Sequence, residues 1–164
     1  MIALVRVDNR LVHGQILEAW VPRLRIRRLV VADDEAARTP LARAAMTLAL
    51  PDEVGADVLP VEAVDWRALA ASPEPVLVLF REVEGLSRAT RRGLGPALAP
   101  RLNLGNVHFA PGRRPLGPSL FLREEEMAAV RELAAAGFEV EARAIPSEPP
   151  AGLAELERRW QSAG

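Results

Sequence analysis

Pro75-Val76-Leu77-Val78-Leu79-Phe80 is the run that sets the architecture. Its apolar residues do not alternate with polar ones, so a strand built from them needs cover on both faces. A proline opens the run and Arg81-Glu82 closes it, as suits the interior of a parallel sheet. Ile2-Ala3-Leu4-Val5-Arg6-Val7 and Arg28-Leu29-Val30-Val31-Ala32 are further short apolar strands, and Val54 to Val61 reads as another. Between them lie helical patterns. Ile16, Leu17, Trp20, Val21 and Leu24 share one face, with Pro22 expected to kink or end that helix early. Thr39-Pro40 is a favourable helix start, with Leu41, Ala44, Ala45 and Leu48 as the expected buried stripe. Shorter helices are expected over Glu62 to Ala71, carrying Val64 and Leu69, and over Val83 to Leu94.

The last third is less regular. Leu102 to Leu104 and Val107 to Phe109 are short strand candidates around a tight turn at Gly105-Asn106. A Gly/Pro/Arg loop runs from Pro111 to Pro118, and Ser119 to Leu122 is a further strand. Arg123-Glu124-Glu125-Glu126 opens a helix with acid residues where the dipole favours them, and Gly137 is its stop. Phe138 to Ala144 is a half-buried strand. Gly152 to Gln161 is a closing helix that buries Leu153, Leu156 and Trp160. Strands alternating with helices predict an α/β fold, an open and mostly parallel twisted sheet with helices on both faces. The expectation is one domain over residues 1–164.

Composition removes several classes of chemistry. The chain has no cysteine, which excludes disulfides and thiolate chemistry. All 21 basic residues are arginine, which excludes a Schiff-base lysine and a lysine-dependent phosphate loop. A formal charge of −1 gives no broad basic field, so no nucleic-acid partner is expected. With His13 and His108 alone, no metal-ligand spacing is apparent, and no cofactor is expected. No apolar run reaches the roughly 20 residues that span a bilayer, and a cytoplasmic location is expected.

In a parallel sheet, ligands gather at the carboxyl ends of the strands. Three such ends carry polar residues: Asp8-Asn9-Arg10-Leu11-Val12-His13-Gly14-Gln15, the Asp33-Asp34 turn, and the stretch after Phe80. In the first, His13 is a competent phosphoryl acceptor, since a neutral imidazole nitrogen is nucleophilic. Arg10 could grip phosphate oxygens in bidentate fashion. Asp8 or Asn9 could orient the imidazole or the arginine, and the amides of Leu11 to Gln15 could form an anion site at a helix start. Spacing alone leaves a second reading open, a polar turn with a surface ion pair contributing about 0–1 kcal/mol.

The stretch Arg6 to Ile16, with Trp20 four residues on, resembles the opening of the IIB subunits of the mannose/sorbose-type phosphotransferase system. The resemblance continues through Leu29 to Asp33, Val78 to Phe80, Leu102 to Asn106 and Leu133 to Arg143. It implies a seven-stranded, largely parallel sheet. It implies that His13 takes phosphate, on Nδ1, from a IIA protein and passes it to a sugar carried by membrane subunits IIC and IID. Arg10 matches the arginine that steadies the phosphoryl group. Asp8, Asn9, Gly14, Gln15, Asp33 and Arg81 are the supporting candidates, and a homodimer is compatible with the pattern. A regulatory phosphoprotein without sugar transport, or an inactive anion-binding relative, is the alternative.

Three positions depart from the family pattern. Asn9 stands where a second aspartate is usual, Arg81-Glu82-Val83 follows the fourth strand, and Gly105-Asn106 replaces Gly-Gly. Arg81 is a candidate second anion contact or a solvated charge at a helix start. Asp33 either lines the crevice or starts a helix. His108 is expected to be structural, within an apolar strand. Arg113-Arg114 is expected to be solvated or to meet an acidic partner, and Trp20 and Trp66 to be packing residues.

Overall fold

Val76–Phe80 is a strand with every residue buried, paired in parallel on both sides. The computed structural model describes all residues, Met1–Gly164. In chain order, β1 (Ile2–Val7) leads to a π-helical turn (Ile16–Trp20) that runs into α1 (Val21–Leu24). Next come β2 (Arg28–Ala32), α2 (Asp34–Arg38), α3 (Pro40–Leu48) and β3 (Gly55–Leu59). A 3₁₀ turn (Val61–Ala63) precedes α4 (Trp66–Ala70), β4 (Val76–Phe80), α5 (Val83–Arg91) and β5 (Arg101–Leu104). The remainder is β6 (Arg114–Pro115), β7 (Phe121–Leu122), α6 (Glu124–Ala135), β8 (Glu139–Ala142), β9 (Ala151–Gly152) and α7 (Leu153–Ala163).

Seven strands form one sheet in the order β3-β2-β4-β1-β5-β8-β9, parallel except where β9 meets β8. β6 and β7 make a separate antiparallel ribbon. Strand alternation divides the core in two. Leu77 and Leu79 join Leu4, Leu29 and Val31 on one face, under Ile16, Trp20 and Val21. Val76, Val78 and Phe80 join Val5, Val7 and Val30 on the other, under residues of α4, α5, α6 and α7. The expected α/β architecture, covered on both faces, is what the chain adopts.

Several local expectations need correction. On α3, Leu41 and Leu48 are 80% and 85% exposed, and the helix buries none of its residues fully. Met46, one turn from Ala42, is the residue that packs on the core, together with Leu50 beyond the helix. The side chain of Thr39 does not cap α3, and its hydroxyl donates to Glu35 O instead. Pro22 does not end the first helix. The π turn ahead of it, where Val21 N–H reaches Ile16 O, lets the proline fall in the opening turn of α1. The helix expected over Glu62 to Ala71 is split into the 3₁₀ turn and α4.

No hairpin forms at Gly105-Asn106. Gly105 N donates to Val7 O and Asn106 O accepts from Asn9 N, so the chain stays beside β1 instead of folding back. Val107 then makes only an isolated parallel bridge with Leu120.

Candidate functional site

Val7 lies in register with Phe80 on one side and Leu104 on the other, so the loops after β1, β4 and β5 emerge side by side. The chain leaves β1 for β2 in one direction and β4 for β5 in the other. Their carboxyl ends therefore bound the crevice that such sheets use for ligands.

Asp8 is the hub of this crevice, and it is fully buried. Its Oδ2 accepts from Arg6 Nη2 at 2.8 Å, Asn106 Nδ2 at 2.9 Å and His13 Nε2 at 2.9 Å. Its Oδ1 accepts from the backbone N–H of Arg10 at 3.0 Å. Burial alone would push the Asp8 carboxyl up. The His13 hydrogen bond, the Arg6 charge and the Asn106 amide outweigh it and hold the group well below the usual carboxylate range. Asp8 is thus an ionised acceptor beneath the imidazole.

Arg6 is the counter-charge, also fully buried within β1. Its guanidinium donates to Asp8, to Asn103 Oδ1 and to the carbonyls of Arg143 and Ala144. Its Cζ lies 5.1 Å from the Trp20 ring centre, with Arg143 Cζ 5.5 Å from the same ring, and Trp20 Nε1 donates to Ala144 O. Burial draws Arg6 below its ordinary pKa while Asp8 opposes that shift, and an arginine stays charged throughout.

His13 itself is 12% exposed at its side chain. The ionised Asp8 selects the tautomer with the proton on Nε2, which leaves the lone pair on Nδ1. Nδ1 is buried and has no hydrogen-bond partner. Around it, Leu11 takes a left-handed conformation at φ 55°. The amides of Arg10 and Leu11 turn back onto Asp8, so the Leu11 amide is not free for an anion as expected. Those of Val12 to Gln15 have no acceptor in the protein. Arg10 is exposed, and its Nη2 donates to Gln15 Oε1 at 3.0 Å. Gly14, next to His13, is exposed with open space at its Cα.

Asn9 plays no part in holding the imidazole. Its Nδ2 donates to Arg81 O at 2.7 Å and its Oδ1 accepts from His108 N at 2.7 Å. It thereby ties the two loops that depart from the family pattern to the His13 turn. An aspartate there would set a carboxylate against the Arg81 carbonyl. The Arg81 guanidinium is occupied by Asp33, with Nη2–Oδ2 at 2.8 Å. Asp33 also caps α2 by accepting from Ala36 N. Both residues stand at the next strand ends along, away from the His13–Asp8 contact.

His108 is exposed, contrary to the expectation of a structural residue in an apolar strand, because only Val107 of that segment turns inward. Arg113 is not solvated. It is held by Glu126 at 2.8 Å and Glu82 at 2.9 Å, while Arg114 stacks on Trp160 at 4.3 Å. Trp20 and Trp66 are packing residues, as expected. The site residues that sequence reasoning missed are Arg6, Asn103 and Asn106. Their signal was polarity inside apolar strands and at their ends.

The fold and site together define an open α/β sheet with a carboxylate-held histidine at the carboxyl ends of its central strands. Residues 2–162 match the family model described as the sorbose subfamily IIB component of the phosphotransferase system, and the chain belongs to that family. It is 28% identical over 156 residues to the N-acetylgalactosamine-specific phosphotransferase enzyme IIB component 2 of Escherichia coli, covering 94% of this chain and 98% of the relative. It is 26% identical to the mannose-specific EIIAB component of the same species, over 95% of this chain but 48% of that protein. The chain thus spans about half the length of the mannose-specific relatives it matches. The crystal structure of the IIBSor domain of the Klebsiella pneumoniae sorbose permease superposes with a TM-score of 0.84, at 25% identity over 96% of this chain and 97% of that one. No helix is long and apolar enough to cross a membrane.

Proposed function

We propose that the chain is a phosphohistidine carrier, in which His13 accepts a phosphoryl group on Nδ1 from a IIA protein. It then delivers that group to a sugar during uptake through membrane subunits IIC and IID, at the inner face of the membrane. One observation carries the reading. Asp8 holds Nε2 of His13 at 2.9 Å while Nδ1 has no partner.

The chemistry follows from that asymmetry. The Nδ1 lone pair attacks phosphorus as the donor's N–P bond breaks, and the donor imidazole leaves with the bonding pair. The His13 ring gains positive charge, which ionised Asp8 offsets through the Nε2–H bond. In this reading Arg10 and the free amides of Val12 to Gln15 meet the incoming oxygens, and positioning and electrostatics supply the catalysis. In the second transfer a sugar hydroxyl attacks phosphorus and gives up its proton to solvent, while Nδ1 leaves with the N–P bonding pair and the His13 ring returns to its neutral form. Because Nδ1 is buried, docking of either partner has to open the turn or rotate the ring.

Incubation with a phosphorylated IIA protein, followed by peptide mapping, is the test. The expected result is one acid-labile phosphate, on His13, lost in His13→Ala. Wild-type stoichiometry in His13→Ala would overturn the assignment.

A further inference from the structure

Asn106 follows β5 and is buried, at 5% exposure. Its carbonyl accepts from Asn9 N at 2.7 Å, which fixes its backbone at the crevice floor. Its Nδ2 donates to two acceptors at 2.9 Å each, Asp8 Oδ2 and Gln15 Oε1. Those acceptors belong to different arms of the site. Asp8 Oδ2 holds the His13 imidazole, and Gln15 Oε1 holds the Arg10 guanidinium. A primary amide carries two hydrogens on one nitrogen and can serve both arms at once. A hydroxyl has one hydrogen to give, and a carboxylate has none.

We propose that Asn106 is a positioning residue for phosphoryl transfer, joining the carboxylate that orients His13 and the amide that places Arg10 into one unit. The proposal rests on the phosphohistidine reading. Asp8 keeps Arg6, His13 and the Arg10 amide as partners without Asn106. The Arg10 arm is the dependent one. Arg10 is exposed, and its side chain is hydrogen-bonded to Gln15 Oε1, which Asn106 holds in turn. Removing the Asn106 amide frees Gln15 to turn away, and Arg10 then loses the contact that holds its side chain.

Single-turnover transfer from a phosphorylated IIA protein tests this in wild type, Asn106→Ala, Asn106→Ser, Arg10→Ala and the Asn106→Ala/Arg10→Ala double variant. Asn106→Ala is expected to slow acceptance about 10–100-fold, the scale of a catalytic group displaced by about an ångström. Asn106→Ser, with one hydrogen to give, falls between. Arg10→Ala is expected to cost several-fold less in the Asn106→Ala background than in wild type, because the arginine is already out of place. A residue that merely props the loop would lower the melting temperature and leave the cost of Arg10→Ala equal in both backgrounds. That equality, or a wild-type rate in Asn106→Ala, overturns the proposal. If Asn106→Ala does not fold, Asn106→Ser carries the same comparison. An unlabelled wild-type His13 brings down the carrier reading and this proposal together, whereas a labelled wild type with indifferent variants brings down this proposal alone.

Discussion

A side chain at Gly105 would overlap the Arg6 guanidinium, which meets Cζ, Nη2 and Nε of that residue first. Arg6 cannot withdraw, because Asp8, Asn103 and two main-chain carbonyls hold it from the other directions. Gly105→Ala is therefore expected to destabilise the protein by about 3 kcal/mol or more, through strain or a broken buried ion pair. Urea denaturation checks this, and a loss below about 1 kcal/mol would mean that Arg6 has room to move. Residues of the His13 turn were legible as candidates because nucleophile, cation and carboxylate stood together in one polar stretch, while the family resemblance, not their spacing, singled out His13 and Arg10. Arg6 was not legible, since its function depends on partners about 100 and 140 positions away, which no local pattern reveals.

The helix α3 shows what periodicity leaves undecided. Leu41, Ala44, Ala45 and Leu48 share one side, and Ala42 and Met46 share another. Both sides are apolar enough to pack, and only the path of the chain between β2 and β3 selects the second. Met46→Ala is accordingly expected to cost about 1–3 kcal/mol, and Leu48→Ser to stay within about 0.5 kcal/mol of wild type. Thermal or chemical denaturation separates the two, and a reversed order would place Leu48 in a contact absent from the monomer. Strands of five or six residues were readable from their apolar runs. β6, β7 and β9, of two residues each, were not, because their pairing is set by neighbours rather than composition.

Across the whole molecule, the buried Asp8–Arg6–His13 cluster links the folding equilibrium to pH. Folding holds the Asp8 carboxyl below its ordinary value of 3.8. Its contribution is thus present in full above that value and is lost as pH falls toward the folded-state pKa. The unfolding free energy is expected to decline as pH drops below about 4, and Asp8→Asn to flatten that decline by up to one proton's worth of slope. Equilibrium unfolding over an acid series measures both. Equal slopes would mean that Asp8 titrates alike in the folded and unfolded chain. The α/β class, the parallel character and the two-sided cover followed from interior apolar runs, whereas the strand order, which sets β5 rather than β2 beside β1, was not readable from them. Nor was the loop that closes over the strand ends from Asn106 onward, since side-chain bridges hold it rather than any repeating pattern.

Trp20 stands fully buried beside Arg6 and Arg143, and three contacts in sequence, through Arg6 and Asp8, connect it to His13. The chain has no tyrosine and two other tryptophans, Trp66 and Trp160, so its ultraviolet emission comes from three indoles. With those two replaced by phenylalanine, the remaining fluorophore would sit beside the cation whose carboxylate partner holds the nucleophile. Any change of charge on the His13 ring would then register as a shift in Trp20 emission, giving a continuous optical signal of turnover without an added label.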